Sequence, residues 1–277
     1  MRLQHLTNKL TIIALLAPVL CRAAEQPLPA PLEGVDVIEK LGRNVDLDLQ
    51  FTAENGYQVP LSSFFHSGKP VILNLVYYTC PMLCNLVLNG QMAAMKDVAW
   101  TAGNEFEVVT ISIDPNDNFD IARKKKALYL EEYGKAGANW HFLIDYKGNV
   151  KTLAEQVGFR YRWDEQQKQF AHAAAIMFLT PDGHISRYLY GVKFKPRDVR
   201  LALSEASEGK LGTAGDKFLL FCFHYDAEAR SYVPFARNIM RAGGVAIVLI
   251  LGSVLTLLWR WERKYRTPLS DHLVTVK

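Results

Sequence analysis

The chain has 277 residues, 49% of them hydrophobic and 22% charged, with a formal net charge of +4. That composition excludes a disordered or low-complexity chain, and the mild, dispersed positive charge excludes an extended nucleic-acid-binding face. The one dense basic run, Arg123-Lys124-Lys125-Lys126, reads as a solvated helix face, and no nucleic-acid partner is expected.

The N-terminus opens with Arg2 and Lys9, continues through an apolar stretch from Leu10 to Leu20, and ends in Cys21-Arg22-Ala23-Ala24. This pattern predicts a secretory signal segment over residues 1–24. Lipid attachment at Cys21 is disfavoured, because Pro18-Val19-Leu20 lacks the small residue usual there. An uncleaved N-terminal anchor is the alternative. Gln26-Pro27-Leu28-Pro29-Ala30-Pro31 predicts an extended spacer over residues 25–34.

The folded part follows, expected over residues 35–210. Val71 to Tyr77 is short, β-branched and mostly apolar, as in a strand covered on both faces. A helix is predicted from Met82 to Trp100, with Pro81 as its first residue and Leu83, Leu86, Val87, Met92 and Met95 on its buried face. Further predicted elements are a strand over 106–113, a helix over 119–133, a strand over 141–144 and a helix over 150–157. A hairpin over 173–189 turns at Pro181-Asp182-Gly183-His184, and a last helix covers 195–208. The order β-α-β-α-β-α-β-β-α predicts an α/β, three-layer, thioredoxin-like domain with a closing β-hairpin.

A linker is expected over 211–240, then a transmembrane helix over 241–260 and a cytoplasmic tail over 261–277. Ala242 to Trp259 contains no charged residue and has nearly the length a bilayer requires. Arg260, Arg263, Lys264 and Arg266 outnumber Arg237 and Arg241 across it. The positive-inside rule then puts the C-terminus in the cytoplasm. The expected location is the cell membrane, single-pass, with the soluble domain on the extracytoplasmic (periplasmic) side.

Chemistry is concentrated at Cys80 and Cys84, four positions apart where a strand meets a helix. Backbone N–H groups and the helix dipole favour a thiolate there, and the spacing puts both sulfurs on one helix face. Three roles compete. A structural disulfide would close a very short loop and gain little from it. A thiol–disulfide oxidoreductase usually has the tighter Cys-x-x-Cys spacing. A metal site needs at least one more ligand. Soft thiolates select Cu(I) or zinc, structural zinc needs four protein ligands, and a Cys2His set suits copper better.

Among the seven histidines, His5 lies in the signal segment and His272 beyond the span. His66 falls in a polar turn, His141 beside Trp140 suits packing, and His184 sits in the hairpin turn at the far end from the cysteines. His172, just ahead of the strand 173–179, occupies a loop that approaches the cysteine-bearing helix start in a thioredoxin-like fold. Cys222 and His224 form a Cys-x-His pair near the span, either a second ligand pair or an aromatic segment resting on the domain or membrane.

Tyr77-Tyr78-Thr79-Cys80-Pro81-Met82-Leu83-Cys84, Thr110-Ile111-Ser112-Ile113-Asp114-Pro115, His172 and Pro181-Asp182-Gly183 together resemble the SCO1/SenC family over about residues 35–205. The resemblance implies a thioredoxin-like fold and a copper ion held by Cys80, Cys84 and His172. It implies a copper chaperone that matures the copper-bearing subunit of cytochrome c oxidase, or a thiol–disulfide oxidoreductase keeping that subunit's cysteines reduced. Asp114 would make local hydrogen bonds near the site. The chain departs from the family pattern at Ala173, where a Ser often follows the His, at Met82 and Leu83, where an acidic residue is frequent, and in its C-terminal extension. A scaffold that only docks partners ranks last.

Overall fold

The structure is a computed structural model that describes residues 34–65, 68–80, 83–208, 223–226, 231–234 and 236–265. The expected signal segment, nearly all of the spacer, Cys21, His66, Pro81, Met82, Cys222 and the tail beyond Tyr265 lie outside the described residues.

The strands are β1 (Gln50–Thr52), β2 (Gln58–Pro60), β3 (Val71–Val76), β4 (Glu107–Ser112), β5 (His141–Leu143), β6 (Tyr161–Asp164), β7 (Gln169–His172), β8 (Ala175–Leu179), β9 (Ile185–Tyr190), β10 (Phe223–Asp226) and β11 (Ser231–Pro234). The helices are α1 (Leu83–Lys96), α2 (Phe119–Tyr133), α3 (Asn149–Gln156), α4 (Pro196–Ala206) and α5 (Ala236–Tyr265).

Five strands form the central sheet in the order β5-β4-β3-β8-β9. β3, β4 and β5 run parallel, whereas β8 lies antiparallel to β3 and β9 antiparallel to β8. This is the expected thioredoxin-like α/β arrangement with its closing hairpin. β3 is buried at each of its positions. Alternate side chains of a strand face opposite ways, so both faces of the sheet are covered at its centre. Thr110 ties the buried middle together: its hydroxyl accepts from Asn74 Nδ2 at 3.1 Å and from Trp140 Nε1 at 2.8 Å.

Local chemistry explains the best-matched element. α2 starts at Phe119 because Asn118 Oδ1 accepts from the Ile121 N–H at 3.0 Å. It ends because Gly134 takes φ +68, a left-handed conformation that costs glycine little.

Several expectations need correction. Leu86 faces solvent rather than the core, with a relative exposure of 45%. His172 does not precede a strand 173–179. It closes β7, which pairs with β6 in a separate two-stranded sheet, and β8 begins at Ala175. The expected strand order lacked β1–β2, β6–β7 and β10–β11, and the last of these falls within the stretch read as a linker. The basic run is not uniformly solvated, since Lys125 and Lys126 are half-buried.

α5 is longer than the expected span. Its segment Gly243–Trp261 covers 19 residues with a mean hydropathy of 1.9, and its side chains are exposed. At about 1.5 Å per residue that segment is about 28 Å long, long and apolar enough to cross a membrane. Arg263 stacks over Trp259, 3.7 Å from the ring centroid, at one end of the segment.

Candidate metal centre

The centre lies at the C-terminal end of β3. The parallel register pairs Val76 with Ser112, and the Ile113 N–H donates to Val76 O at 2.7 Å, so β3 and β4 end side by side. Beyond β3 the chain turns through Tyr77, Tyr78, Thr79 and Cys80 before α1. Three bonds from Tyr78 pin this turn. The Tyr78 N–H donates to Asp117 Oδ2 at 2.7 Å, and the Tyr78 hydroxyl meets the carbonyls of Thr110 and Leu143 at 2.9 and 2.6 Å. Cys84 then falls in the first turn of α1, where the unpaired N–H groups point.

Cys80, Cys84 and His172 meet here, all three buried, with ligand atoms within 4.8 Å of one another. Both cysteines are free thiols. His172 Nε2 is 2.9 Å from Cys84 Sγ, across 88 positions of sequence. His172 Nδ1 is 2.9 Å from the Ala173 carbonyl. A carbonyl can only accept, so Nδ1 carries the hydrogen, and Nε2 of the neutral ring presents a lone pair to the sulfurs. Such a backbone bond to the far nitrogen is the usual means of orienting a ligating imidazole. Tyr77 and Phe159 pack against the ring at centroid distances of 6.0 and 5.9 Å.

The thiols are unlike each other. The Cys80 thiol is pulled down to about 3, first by the hydrogen bond from the Cys84 side chain; the neighbouring His172, the Cys84 backbone N–H and Tyr77 act in the same direction, and burial opposes them. The Cys84 N–H lies 3.4 Å from Cys80 Sγ. Burial, then the bond to Cys80, pushes the Cys84 thiol far above its ordinary range, although the Tyr77 N–H donates to its sulfur at 3.5 Å. Cys80 is the thiolate, and Cys84 holds the proton between two acceptors, Cys80 Sγ and His172 Nε2.

The other residues singled out from the sequence are placed elsewhere. His184 sits beside Asp182, with Nδ1 3.0 Å from a carboxylate oxygen. His141 packs on Phe64 at 4.5 Å between ring centroids. Asp114 makes the expected local bonds, accepting from the Asn116 N–H at 2.9 Å. The side chain of His224 lies outside the described residues.

Sequence reasoning overlooked three groups around the centre. Asp117 is buried at 1% exposure, accepts from Ser112 Oγ at 2.6 Å as well as from Tyr78, and leaves Oδ1 without a partner. Asn85 Nδ2 donates to the Cys80 carbonyl at 3.2 Å. The Tyr77 phenol bonds Cys80, and burial then Cys80 raise its own pKa. Only Tyr77 had a signal, its place inside the quoted cysteine motif.

The donor set fits a soft monovalent ion: two sulfurs and one imidazole nitrogen, all from buried residues. No curated protein is significantly similar in sequence. The fold is shared with two crystal structures from Aquifex aeolicus VF5. One, described as a candidate electron-transfer protein, is 25% identical with a TM-score of 0.54, covering 62% of this chain and 96% of that one. The other, described as a candidate electron-transport protein, is 25% identical with a TM-score of 0.50, covering 60% and 98%. Arabidopsis thaliana ScoI, solved with copper bound, is 19% identical with a TM-score of 0.44, covering 55% and 90%. The SCO1/SenC profile matches residues 39–206, a stretch that holds the cysteine turn, the Ser112 strand end and His172 alike. A match over more than half of the chain, enclosing the whole centre, makes this protein a member of the SCO1/SenC family.

Proposed function

We propose that the protein binds one copper ion as cargo through Cys80 Sγ, Cys84 Sγ and His172 Nε2 and delivers it to the copper-bearing subunit of cytochrome c oxidase. The observation that carries this reading is the meeting of three soft donors within 4.8 Å, with the imidazole lone pair turned inward. Two thiolates hold Cu(I) tightly, and a third donor on a separate hairpin permits release one ligand at a time. α5 crosses the membrane with its Arg-rich end in the cytoplasm, which keeps the centre on the extracytoplasmic side beside a membrane-bound acceptor. An N-terminal signal segment supports the same sidedness.

Copper stoichiometry on the full chain in detergent tests this. Wild type with reduced thiols takes up one Cu(I). Cys80→Ser loses that stoichiometry, and His172→Ala loses tight binding. Wild type without uptake, or either variant binding as wild type does, overturns the reading.

One observation favours a second reading. A low-pKa thiolate beside a protonated partner is the asymmetry of an attacking and a resolving thiol. A reductase acting on the oxidase's cysteines would use that pair, and His172→Ala would leave thiol exchange intact while abolishing copper binding.

A further inference from the structure

The four basic residues at the start of α2 have different surroundings. Arg123 pairs with Asp120, and Lys126 pairs with Glu54. Lys125 is half-buried and meets no carboxylate within ion-pair distance among the described residues. Its Nζ instead donates to Asn85 Oδ1 at 2.6 Å. Asn85 follows Cys84 directly in α1, and its amide nitrogen holds the Cys80 carbonyl at 3.2 Å. One neutral side chain thus fixes an ammonium group relative to the cysteine turn.

A partly buried ammonium needs a negative charge nearby to offset its lost hydration. The groups whose charge, when ionised, acts on Lys125 are Cys84, Asp117 and Cys80. Asp117 is already bonded to Tyr78 and Ser112, and burial raises its pKa, which disfavours its charged form. The sulfurs are what remains.

We propose that Lys125, held by Asn85, is the counter-charge of the Cys80–Cys84–His172 centre and a positioning residue that favours Cu(I) over Cu(II) there. The inference rests on the copper reading above. Two thiolates and a neutral imidazole give a Cu(I) centre a net charge of −1 and a Cu(II) centre a net charge of zero. A fixed cation close by stabilises the first more than the second. Lys125 is not one of the three donors of the centre. It acts through the field it imposes on the sulfurs.

The test compares wild type, Lys125→Met and Lys125→Arg as full chains in detergent. Cu(I) and Cu(II) affinities are measured by competition with chromophoric chelators, and the potential of the copper centre by mediated titration. Lys125→Met keeps the aliphatic stem and is expected to shift the Cu(I)-over-Cu(II) preference down roughly tenfold. That is a fall of about 59 mV in potential for a one-electron couple. Lys125→Arg restores most of it, and the Cu(II)–thiolate absorption band stays in place throughout. If Lys125→Met misfolds, Lys125→Gln removes the same charge and is judged by the same ratio. An unchanged ratio in the neutral variant, or equal losses in the Met and Arg variants, overturns the inference and leaves the copper reading standing. Wild type that binds neither ion overturns both.

Discussion

Lys135 closes the far end of the helix that carries Cys84, and its removal tests how that helix is held. Its ammonium donates to the carbonyls of Met95 at 2.9 Å, Trp100 at 3.0 Å and Val98, which the C-terminal end of α1 and the following turn leave without intrahelical partners. Lys135→Met keeps the stem and deletes all three bonds. A hydrogen bond to a charged donor is worth about 1.5–3 kcal/mol net when buried. Lys135 is half-exposed, so water replaces part of this and screening weakens the rest. A total loss of about 2–3 kcal/mol follows, including the lost attraction to the helix dipole. For a domain of this size that lowers Tm by about 5–10 °C. Near-UV circular dichroism of the full chain in detergent is the assay, because Trp140, at 0% exposure, reports on core packing. Lys135→Arg should recover about half the loss. A Lys135→Met melt within 1 °C of wild type would refute the reasoning.

Alkylation by iodoacetamide, followed by mass spectrometry, should label Cys80 at a rate nearly independent of pH down to about pH 4, because its thiol titrates near 3. A rate that instead rises through pH 8–9, the range of an ordinary thiol, would show that the Cys84 bond does not hold the thiolate. Burial raises the Asp117 pKa above its ordinary value, so the folded state holds that proton more tightly than the unfolded chain does. The resulting stability is present below about pH 4 and is lost as pH rises through the folded value. Asp117→Asn should therefore gain on wild type in urea melts as pH rises from about 4 to 7, and a pH-independent difference would sink this. Gly90→Ala would put a Cβ 2.1 Å from the Val192 carbonyl oxygen. Backbone cannot give way there cheaply, and a loss of about 3 kcal/mol or failure to accumulate is expected; wild-type stability would mean the two segments separate freely.

What could be read from the sequence was what short stretches of chain decide for themselves. The continuous apolar run of β3 declared a doubly covered strand. Asn118 and Gly134 marked both ends of α2 with a cap and a left-handed stop. β1 and β2 are three residues each, too short to show a period of two. β6 and β7 were missed because each is only four residues long: Tyr161-Arg162-Trp163-Asp164 alternates over too few positions to stand out, and Gln169-Phe170-Ala171-His172 does not alternate. Their turn, moreover, is stabilised by Asp164 accepting from the N–H groups of Gln166 and Gln167, at 2.9 and 3.0 Å. The basic run in α2 misled for a related reason: which lysine turns inward depends on Glu54 and Asn85, 72 and 40 positions away.

The same division runs through the centre itself. Cys80 and Cys84 belong to one turn and one helix start, so their proximity, and the tendency of that place to stabilise a thiolate, follow from spacing alone. Their asymmetry does not. It needs the depth of burial around Cys84 and, beside the bond between the two sulfurs, the neighbours Tyr77 and His172, the last of which arrives 88 positions later on a hairpin outside the central sheet. His172 reaches Cys84 because β8, which follows β7 after only two residues, is locked antiparallel to β3 from Leu73 to Val71. That pairing brings the chain segment just before β8 to the end of β3 from which the cysteine turn departs. The register of β8 on β3 thereby determines whether the third donor is present. A substitution that slipped this register would remove His172 from the centre while leaving both cysteines in place, converting a three-donor metal site into a bare dithiol.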